Sequence, residues 1–213
     1  MVVVTFRVTG NLRFLSHAET MDMFRRACVR TGIEICYTQG FNPRPRLSLP
    51  LPRSVGVESE GDLLVFRARP DRASWNPDQF ARELAAQLPD GCELLEVSSA
   101  SASTSFQPVR ATYVFTLRPE SLDPALSDRI QAILAADTLP LVRRPAGKGS
   151  RSRNVDLRPF VESITLNDNV IEVICRISPE GAIRVDEILQ LLELDTPKLS
   201  RPIRRTDIRW ETN

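Results

Sequence analysis

The segment SHAETMDMFRRACVRTG, residues 16–32, predicts the first helix. The other predicted elements of the first half of the chain are placed relative to this helix. Ser16 followed three residues later by Glu19 is a capping box, which stabilises a helix N-terminus by on the order of 1 kcal/mol. Apolar side chains recur at helical spacing and predict its buried stripe: Met21, Phe24 and Cys28. Gly32 is typical of the position just after a helix ends.

Working outward from this helix, the first half of the chain reads as a βαββαβ unit. Strands are predicted from β-branched runs or alternation at residues 2–8, 33–37, 62–69 and 92–97. Asn76 and Pro77 supply the N-cap and the first-turn proline of a second helix, which has an apolar face. The order strand, helix, strand, strand, helix, strand is that of a ferredoxin-like fold.

The second half repeats this order without repeating the sequence. Its helices are predicted at residues 123–136 and 184–194, and its strands at residues 112–117, 139–144, 154–157, 160–166, 170–177 and 203–210. We therefore expect an α+β protein of two ferredoxin-like units, each an antiparallel sheet with helices packed on one face. The predicted domains are residues 1–97 and 108–213. A Ser/Ala linker at residues 98–107 would join them, because small polar residues cannot form a core face.

Composition is that of an ordinary globular protein: 213 residues, 42% hydrophobic and 26% charged, with a formal net charge of +1. No apolar run approaches the roughly 18 residues of a membrane span, so no membrane association is expected. The opening MVVVTFRV is interpreted as a strand rather than a secretion signal. The four cysteines have no paired spacing and are predicted to be reduced, which favours a cytoplasmic location.

The sequence lacks the characteristic motifs of several classes of enzyme. There is no phosphate-binding Gly-x-x-x-x-Gly-Lys-Ser/Thr loop and no Gly-x-Gly-x-x-Gly after a strand. One histidine and unpaired cysteines do not make a zinc or iron–sulfur ligand set. We expect no cofactor on this chain. The acidic run Glu58, Glu60 and Asp62 is more typical of a solvated strand edge than of a metal site.

A proline-rich segment, QGFNPRPRLSLPLP at residues 39–52, is the strongest candidate for binding. Proline fixes its own φ and keeps the preceding residue extended, so Arg44 and Arg46 should project from a stiff loop. Residues two apart in an extended chain point the same way, so both guanidinium groups should share one side. Phe41 and Asn42 form the turn beside them. The alternative is a surface connection whose arginines are only solvated.

A second basic region lies in the other half of the chain. Arginine dominates the basic residues, since only Lys148 and Lys198 are lysine, and arginine suits bidentate contact with phosphate. The predicted basic stripe consists of Arg143, Arg144, Lys148, Arg151, Arg153 and Arg158. Such a stripe fits binding to a phosphate backbone.

His17 is the only histidine, and a catalytic alternative depends on it. At the first position of the helix the macrodipole disfavours protonation, so a neutral imidazole able to act as a general base is plausible. With Tyr37 and the two loop arginines it would make a metal-independent RNA-cleaving site. The simpler interpretation, a histidine that bonds locally at the helix end, is favoured.

Four stretches carry a family resemblance: LRFLSHAETMDMFRRA at residues 12–27, YTQGFNPRPRLSLPLPRSVGVESEGD at residues 37–62, VDLRP at residues 155–159 and IRRT at residues 203–206. They resemble the radical SAM-linked family, a bacterial domain of unknown function, over essentially the whole chain. The family's motif residues present here are Arg13, Phe14, Ser16, His17, Phe24, Arg26, Ala27, Gly40, Phe41, Asn42, Pro43, Pro45, Gly56, Ser59, Asp156, Arg158 and Pro159. Glu19 and Asp22 depart from the family's usual aspartate and arginine.

The resemblance implies a partner protein, a radical SAM enzyme, but no reaction carried out by this chain itself. Such domains are fused to, or encoded beside, radical SAM proteins and near ribosomal genes, which points towards modification of tRNA or rRNA. The expected function is a non-catalytic accessory that binds RNA, a ribosomal component or the separately encoded enzyme. That enzyme would carry the iron–sulfur cluster and S-adenosylmethionine. Arg13 and His17 join the predicted RNA-binding residues. An endoribonuclease is one alternative, supported by a loose similarity to CRISPR repeat-processing enzymes, and a protein-interaction scaffold is the other.

Overall fold

The structure, a computed structural model, describes residues 1–69, 76–143 and 152–213. Its strands are β1 (Val2–Val8), β2 (Leu47–Ser48), β3 (Glu58–Phe66), β4 (Cys92–Ser99), β5 (Phe106–Thr116), β6 (Pro140–Arg143), β7 (Arg153–Asp156), β8 (Val161–Asn167), β9 (Val170–Ser178), β10 (Gly181–Ala182) and β11 (Arg204–Thr212). Its α-helices are α1 (His17–Arg30), α2 (Pro77–Ala85), α3 (Leu126–Ala135) and α4 (Val185–Leu191). The chain forms two compact units, one of Met1–Pro108 with Arg204–Asn213 and one of Val109–Ile203.

The first unit has the strand order of a ferredoxin-like fold. Strand β1 lies between β3 and β4 and is antiparallel to both. Strand β2 pairs antiparallel with the far edge of β3, at Leu47↔Phe66 and Ser48↔Val65. Helices α1 and α2 follow β1 and β3 in the chain. The predicted α+β class with antiparallel sheets is therefore confirmed.

Alternation along β1 decides which face carries the helices. Val2, Val4, Phe6 and Val8 are buried in a cluster that also contains α1 and α2 side chains, among them Phe24. The Phe6 and Phe24 rings meet edge to face with centroids 4.6 Å apart. The opposite face carries a smaller apolar cluster: Val3, Leu63 and Val65, with Phe106 and Trp210 packed against it. Period-2 side-chain alternation thus puts both helices on one face of the sheet.

Both predicted helix starts in the first unit are confirmed. The Ser16 side chain accepts a hydrogen bond from the Glu19 N–H, and the Glu19 carboxylate accepts from the Ser16 N–H at 2.8 Å, which is the reciprocal capping box. The side chain of Asn76 accepts from the Gln79 N–H at 3.0 Å, with proline at the first position of α2. These bonds satisfy N–H groups that have no partner inside the helix.

The second unit is built around the hairpin of β8 and β9. Strand β9 is antiparallel to β8 on one edge and to β5 on the other. Asp168 and Asn169 form the turn between β8 and β9, with Asp168 at φ +53°. Strands β6 and β7 make a separate two-stranded ribbon. Helix α3 packs against this sheet through Ile130 and Ile133, which are buried.

The bounds of the compact units differ from the predicted domains at two places. The predicted linker at residues 98–107 contributes Ser98 and Ser99 to β4 and begins β5, all within the first unit. Strand β11, predicted to close the second domain, belongs to the first unit. It pairs parallel with β3 at Arg204↔Glu58 and Arg205↔Ser59. Parallel pairing between segments so distant in the chain has no local sequence signal.

The acidic run lies inside strand β3 and is not a solvated edge. Gly61 is at φ +90°, and the register of β3 against β1 shifts here from Phe6↔Asp62 to Arg7↔Glu60. A bulge with glycine at positive φ adds one residue and reverses the side-chain parity beyond it. Asp62 therefore points inward and is 5% exposed, so the expectation of a solvated edge was wrong for Asp62, while Glu58 and Glu60 stay partly exposed.

Strand 33–37 is also reduced from the prediction. In its place the structure has isolated bridges at Ile35↔Ala68 and Tyr37↔Pro45.

Within the described parts of the chain, no helix is long and apolar enough to cross a membrane. The four cysteines are free thiols, and burial raises the pKa of Cys28 and Cys175 to about 12.

Candidate functional site

The proline-rich segment forms an antiparallel hairpin, here called the arginine hairpin (residues 36–46). Tyr37 bridges to Pro45, and the Thr38 N–H donates to the Arg44 carbonyl at 2.8 Å. The Arg44 N–H returns a bond to the Thr38 hydroxyl at 3.0 Å. Gly40, at φ +142°, allows the turn at the tip. The loop is therefore fixed by its own backbone as well as by its prolines.

Two backbone hydrogen bonds fasten the base of the hairpin to Arg67, just after β3, and a third joins the two arms of the hairpin. The Arg46 N–H donates to the Cys36 carbonyl at 2.8 Å, and the Cys36 N–H donates to the Arg67 carbonyl at 2.7 Å. The Arg67 N–H closes the set by donating to the Arg46 carbonyl at 2.9 Å. Because these bonds anchor both arms, the hairpin is positioned by the sheet.

Arg44 and Arg46 project from one face of this hairpin. Directly opposed residues of an antiparallel pair share a face, so both arginines lie with Thr38 and Cys36, and Tyr37 lies on the other face with Pro45. Both arginines are exposed. Among residues 1–69, 76–143 and 152–213 neither guanidinium has an ion-pair partner. Phe41 at the tip is fully exposed, and Asn42 is exposed beside it.

The motif residues before α1 are held by a buried arginine that sequence reasoning missed. Arg53 is 9% exposed and donates to the carbonyls of Arg13 at 2.8 Å, Val57 at 2.7 Å and Leu12 at 3.2 Å. Burial lowers the pKa of its guanidinium below the ordinary value, and Asp62 opposes that shift. Arg53 thus fixes the segment that leads into α1, and its role is structural.

Arg13 is partly committed to local contacts. Its guanidinium donates to the Gly10 carbonyl at 2.7 Å and lies over the Phe14 ring, 4.3 Å from the centroid. Phe14 is 55% exposed. The pair presents a cation–aromatic surface next to the start of α1.

A buried ion pair lies below this segment. Arg205 is 1% exposed and donates to the Asp62 carboxylate at 2.8 Å and to the Pro52 carbonyl at 3.2 Å. The Ser59 hydroxyl donates to the other Asp62 oxygen at 2.8 Å. These bonds join β11, β3 and the chain leading out of β2, so the C-terminal IRRT motif is structural at Arg205.

The structure does not assemble the predicted nuclease constellation. His17 is exposed at the first position of α1 and lines a cavity of about 10 Å³ with Thr20, Arg53 and Asp62, room for a single water. Tyr37 lines a different groove, with arginines of α1. Arg44 and Arg46 face away from Tyr37. The alternation of the hairpin thus separates Tyr37 from the two arginines, and His17 and Tyr37 line different cavities.

Arg143 of the predicted basic stripe is bound internally. Its guanidinium donates to both oxygens of the Glu187 carboxylate, at 2.6 and 2.8 Å, and to the Ala182 carbonyl at 2.6 Å. The hydrogen bond to Glu187 raises the pKa of Arg143. Burial raises the pKa of Glu187, but the hydrogen bonds from Arg143 and from the Arg184 N–H together outweigh burial, and the pKa lies below its usual value.

Arg158 is likewise used to hold the fold. It donates to the carbonyls of Leu134 at 3.1 Å, Ala136 at 3.0 Å and Val161 at 2.8 Å. Two of these carbonyls lie at the C-terminal end of α3, where a cation also complements the helix dipole. The Asp156 carboxylate accepts from the N–H groups of Leu139 and Arg158, which lowers the pKa of Asp156.

The predicted stripe is therefore not one exposed surface. Arg153 is exposed on β7 and lines a groove of about 690 Å³ with Arg176 and Glu180. Arg144, Lys148 and Arg151 lie outside the described residues. The internal partners of Arg143 and Arg158 follow from helix ends and a buried glutamate that sequence spacing does not reveal.

Sequence reasoning also missed a basic surface on α1. Arg25, Arg26 and Arg30 lie on the exposed side of the helix, opposite Phe24, Ala27 and Cys28. The signal was present, since residues 26 and 30 are four apart and share a helix face. Among the described residues there is no cluster of three or more histidine, cysteine, aspartate or glutamate side chains able to hold a metal.

The fold and the site define a class of protein: a ferredoxin-like α+β protein with an exposed cationic hairpin anchored to the edge of its sheet. The chain belongs to the family described as an uncharacterized protein conserved in bacteria (DUF2344), whose model matches residues 2–187. No curated protein matches the sequence. Among solved structures, the acetolactate synthase small subunit from Thermotoga maritima is similar at 10% identity and a TM-score of 0.26, covering 100% of this chain and 96% of that one.

Proposed function

We propose that this protein is a non-catalytic accessory that binds RNA, either tRNA or rRNA, for a separately encoded radical SAM enzyme. The observation that carries the proposal is the arginine hairpin. Two exposed guanidinium groups share one face of a backbone-fixed loop, and neither has an ion-pair partner in the described part of the chain. Elsewhere in the chain arginines of similar sequence context are bound by carbonyls and carboxylates.

The ligand chemistry follows from these groups. Guanidinium binds phosphate oxygens in bidentate fashion, and a fixed loop loses little conformational entropy on binding. Phe41 adds an exposed ring within three residues of Arg44, which suits stacking on an unpaired base. A phosphate backbone with accessible bases matches both features.

The link to a radical SAM enzyme comes from the resemblance of the sequence motifs. In this proposal the partner holds the iron–sulfur cluster and S-adenosylmethionine, and this chain supplies the binding surface for the RNA. His17 and Tyr37 line different cavities, which supports a role without catalysis on this chain.

The test is fluorescence anisotropy with labelled total tRNA or a ribosomal RNA fragment, titrated at several salt concentrations. Arg44→Gln/Arg46→Gln should weaken binding and reduce the slope of log K against log salt by about 0.7 to 0.9 for each phosphate that the variant no longer neutralises. A matched control, Arg82→Gln/Arg209→Gln, removes the same charge from exposed positions in α2 and β11. It should bind RNA nearly as well as the unmodified protein.

Three outcomes would contradict the proposal. The first is no RNA binding at low salt, and the second is equal weakening in the hairpin and control variants. The third is RNA cleavage in chelator that disappears in His17→Ala, which would establish the endoribonuclease. Recovery of the radical SAM enzyme with this protein after nuclease treatment, in the absence of RNA affinity, would favour the scaffold.

A further inference from the structure

A second cationic surface lies on the outward side of α1, next to the base of the arginine hairpin. Arg25, Arg26 and Arg30 line a groove of about 340 Å³ together with Tyr37. The Tyr37 side chain is half-exposed, and Val29, 61% exposed, gives the groove an apolar wall. The groove thus combines an accessible ring, an apolar contact and guanidinium groups, and it lies on the opposite side of the hairpin from Arg44 and Arg46.

The charges in this groove are unevenly compensated. Arg25 forms an ion pair with Asp22 at 3.0 Å on the same helix. Arg26 and Arg30 have no ion-pair partner within residues 1–69, 76–143 and 152–213. Both also line an adjoining groove of about 510 Å³, which contains Glu19 and Asp22 towards the start of α1. The positive charge therefore concentrates at the Tyr37 end.

We propose that this groove holds one unstacked nucleotide of single-stranded RNA, with the base on the Tyr37 ring and the flanking phosphates on Arg26 and Arg30. The inference rests on the proposed RNA-binding function and names the kind of RNA that it requires. A base has an apolar face that matches the ring and Val29, and its phosphates match the guanidinium groups. A volume of about 340 Å³ is within the range of small-ligand sites.

An acidic peptide fits this groove less well. Carboxylates would pair with Arg26 and Arg30 but would leave the tyrosine ring and Val29 without a matching surface. A paired RNA helix also fits poorly, because its bases are stacked and their faces are not accessible to a side chain. Single-stranded RNA supplies both an accessible base for the tyrosine ring and phosphates for the two arginines.

The experiment compares two probes, a fluorescein-labelled oligouridine of twelve nucleotides and an abasic phosphodiester chain of the same length. Tyr37→Leu should weaken oligouridine binding by at least about fivefold and leave abasic binding unchanged, because only stacking on the base is removed. Tyr37→Phe, the matched control, keeps the ring and should bind oligouridine as the unmodified protein does. Arg26→Gln/Arg30→Gln should lower the salt slope for both probes by about 0.7 for each phosphate that the variant no longer neutralises.

Photocrosslinking of the unmodified protein to 4-thiouridine RNA gives a test that does not depend on a variant folding. Mass spectrometry should place the crosslink on Tyr37 or on residues 25–30. If the hairpin variant weakens RNA binding while Tyr37→Leu binds both probes normally and no crosslink falls there, this groove is not the base site and the proposed function stands. Equal weakening of both probes by Tyr37→Leu would also overturn the groove. No RNA binding at all would overturn the inference and the proposed function together.

Discussion

The arginine hairpin of the first unit differs from Arg143 and Arg158 of the second unit in how its arginines are used. In the first unit Arg44 and Arg46 stand exposed on the arginine hairpin, without an ion-pair partner among the described residues. In the second unit Arg143 and Arg158 donate to a glutamate and to backbone carbonyls. Both pairs lie in arginine-rich sequence beside proline or turn residues. The two pairs differ in whether hydrogen-bond acceptors lie within reach of the guanidinium groups, and this depends on the tertiary fold.

A helix end explains this difference for Arg158. The last turn of a helix leaves carbonyls without a partner, and a guanidinium with five N–H groups can satisfy several of them at once. Arg158 meets such carbonyls at the end of α3, whereas the backbone groups of the arginine hairpin are paired within the hairpin and with β3. An arginine whose guanidinium is bonded to the carbonyls of a helix end is therefore a poor candidate for ligand binding, and one on a self-paired hairpin is a good one.

The largest effect is expected from Arg205, a buried arginine of the first unit, because it tests whether internal arginines hold the fold. Arg205→Met should lower the free energy of unfolding by about 3 to 5 kcal/mol, since it leaves Asp62 charged and buried without its partner. Arg204→Met on the same strand removes a half-exposed pair with Glu60 at 3.6 Å and should cost about 0 to 1 kcal/mol. Urea unfolding of both variants measures the difference.

A double variant separates the ion pair from the packing at this position. Asp62→Leu/Arg205→Met removes both charges and should recover part of the stability that Arg205→Met loses. Equal destabilisation by Arg204→Met and Arg205→Met would show that burial at β3 does not decide the strength of these pairs. The contrast between exposed and internal arginines would then fail.

A smaller effect is expected when arginine is replaced by lysine, at an internal position in the second unit and at the exposed positions of the arginine hairpin. Arg158→Lys should lower the free energy of unfolding by about 1 to 3 kcal/mol, because an ammonium group cannot reach three carbonyls together as the guanidinium fork does. Arg44→Lys/Arg46→Lys should leave stability unchanged, since these side chains make no internal bond in the described structure. Thermal and urea unfolding check both variants. A stable Arg158→Lys protein would contradict the structural role.

The sequence predicts the local parts of this fold and misses its long-range pairings. Ser16 and Asn76 mark the two helix starts correctly, because capping depends on residues three apart. The parallel pairing of Arg204 and Arg205 with β3 joins segments more than 140 residues apart, and no spacing rule identifies it. The exposure of the hairpin arginines is predictable because prolines act locally. The internal bonding of Arg143 depends on Glu187, which is distant in the sequence, and local spacing does not predict it.

The bulge at Gly61 shows why the candidate site was only partly predictable. Residues 58, 60 and 62 share a face in a regular strand, and that regularity underlies the expectation of a solvated acidic edge. One extra residue at positive φ turns Asp62 into the core, where it selects Arg205 as partner. A single glycine in a strand is a sequence signal for such a bulge, but the sequence does not say which side chain it turns inward.

The smallest effect concerns pH and depends on the pair of Arg143 with Glu187. The folded pKa of Glu187 lies below its unfolded value, which is about 4.3. The ionised carboxylate therefore stabilises the folded state fully above that unfolded pKa, and the stabilisation is lost as pH falls through the folded pKa. The difference in unfolding free energy between the unmodified protein and Glu187→Gln should accordingly grow as pH rises from 3 to 6 and then level off.

Arg143→Gln should reduce this pH dependence. Without the guanidinium, only Arg184 opposes the effect of burial on Glu187, so the folded pKa rises and the ionised carboxylate stabilises the folded state less at neutral pH. The same substitution at Arg44 should leave the pH dependence of stability as it is in the unmodified protein, because no carboxylate of the described chain pairs with it. Denaturant unfolding at pH 3, 4, 5, 6 and 7 measures all four proteins. Parallel pH profiles for the Arg143 and Arg44 variants would mean that Glu187 does not depend on Arg143, and the distinction between internal and exposed arginines would lose its support in the second unit.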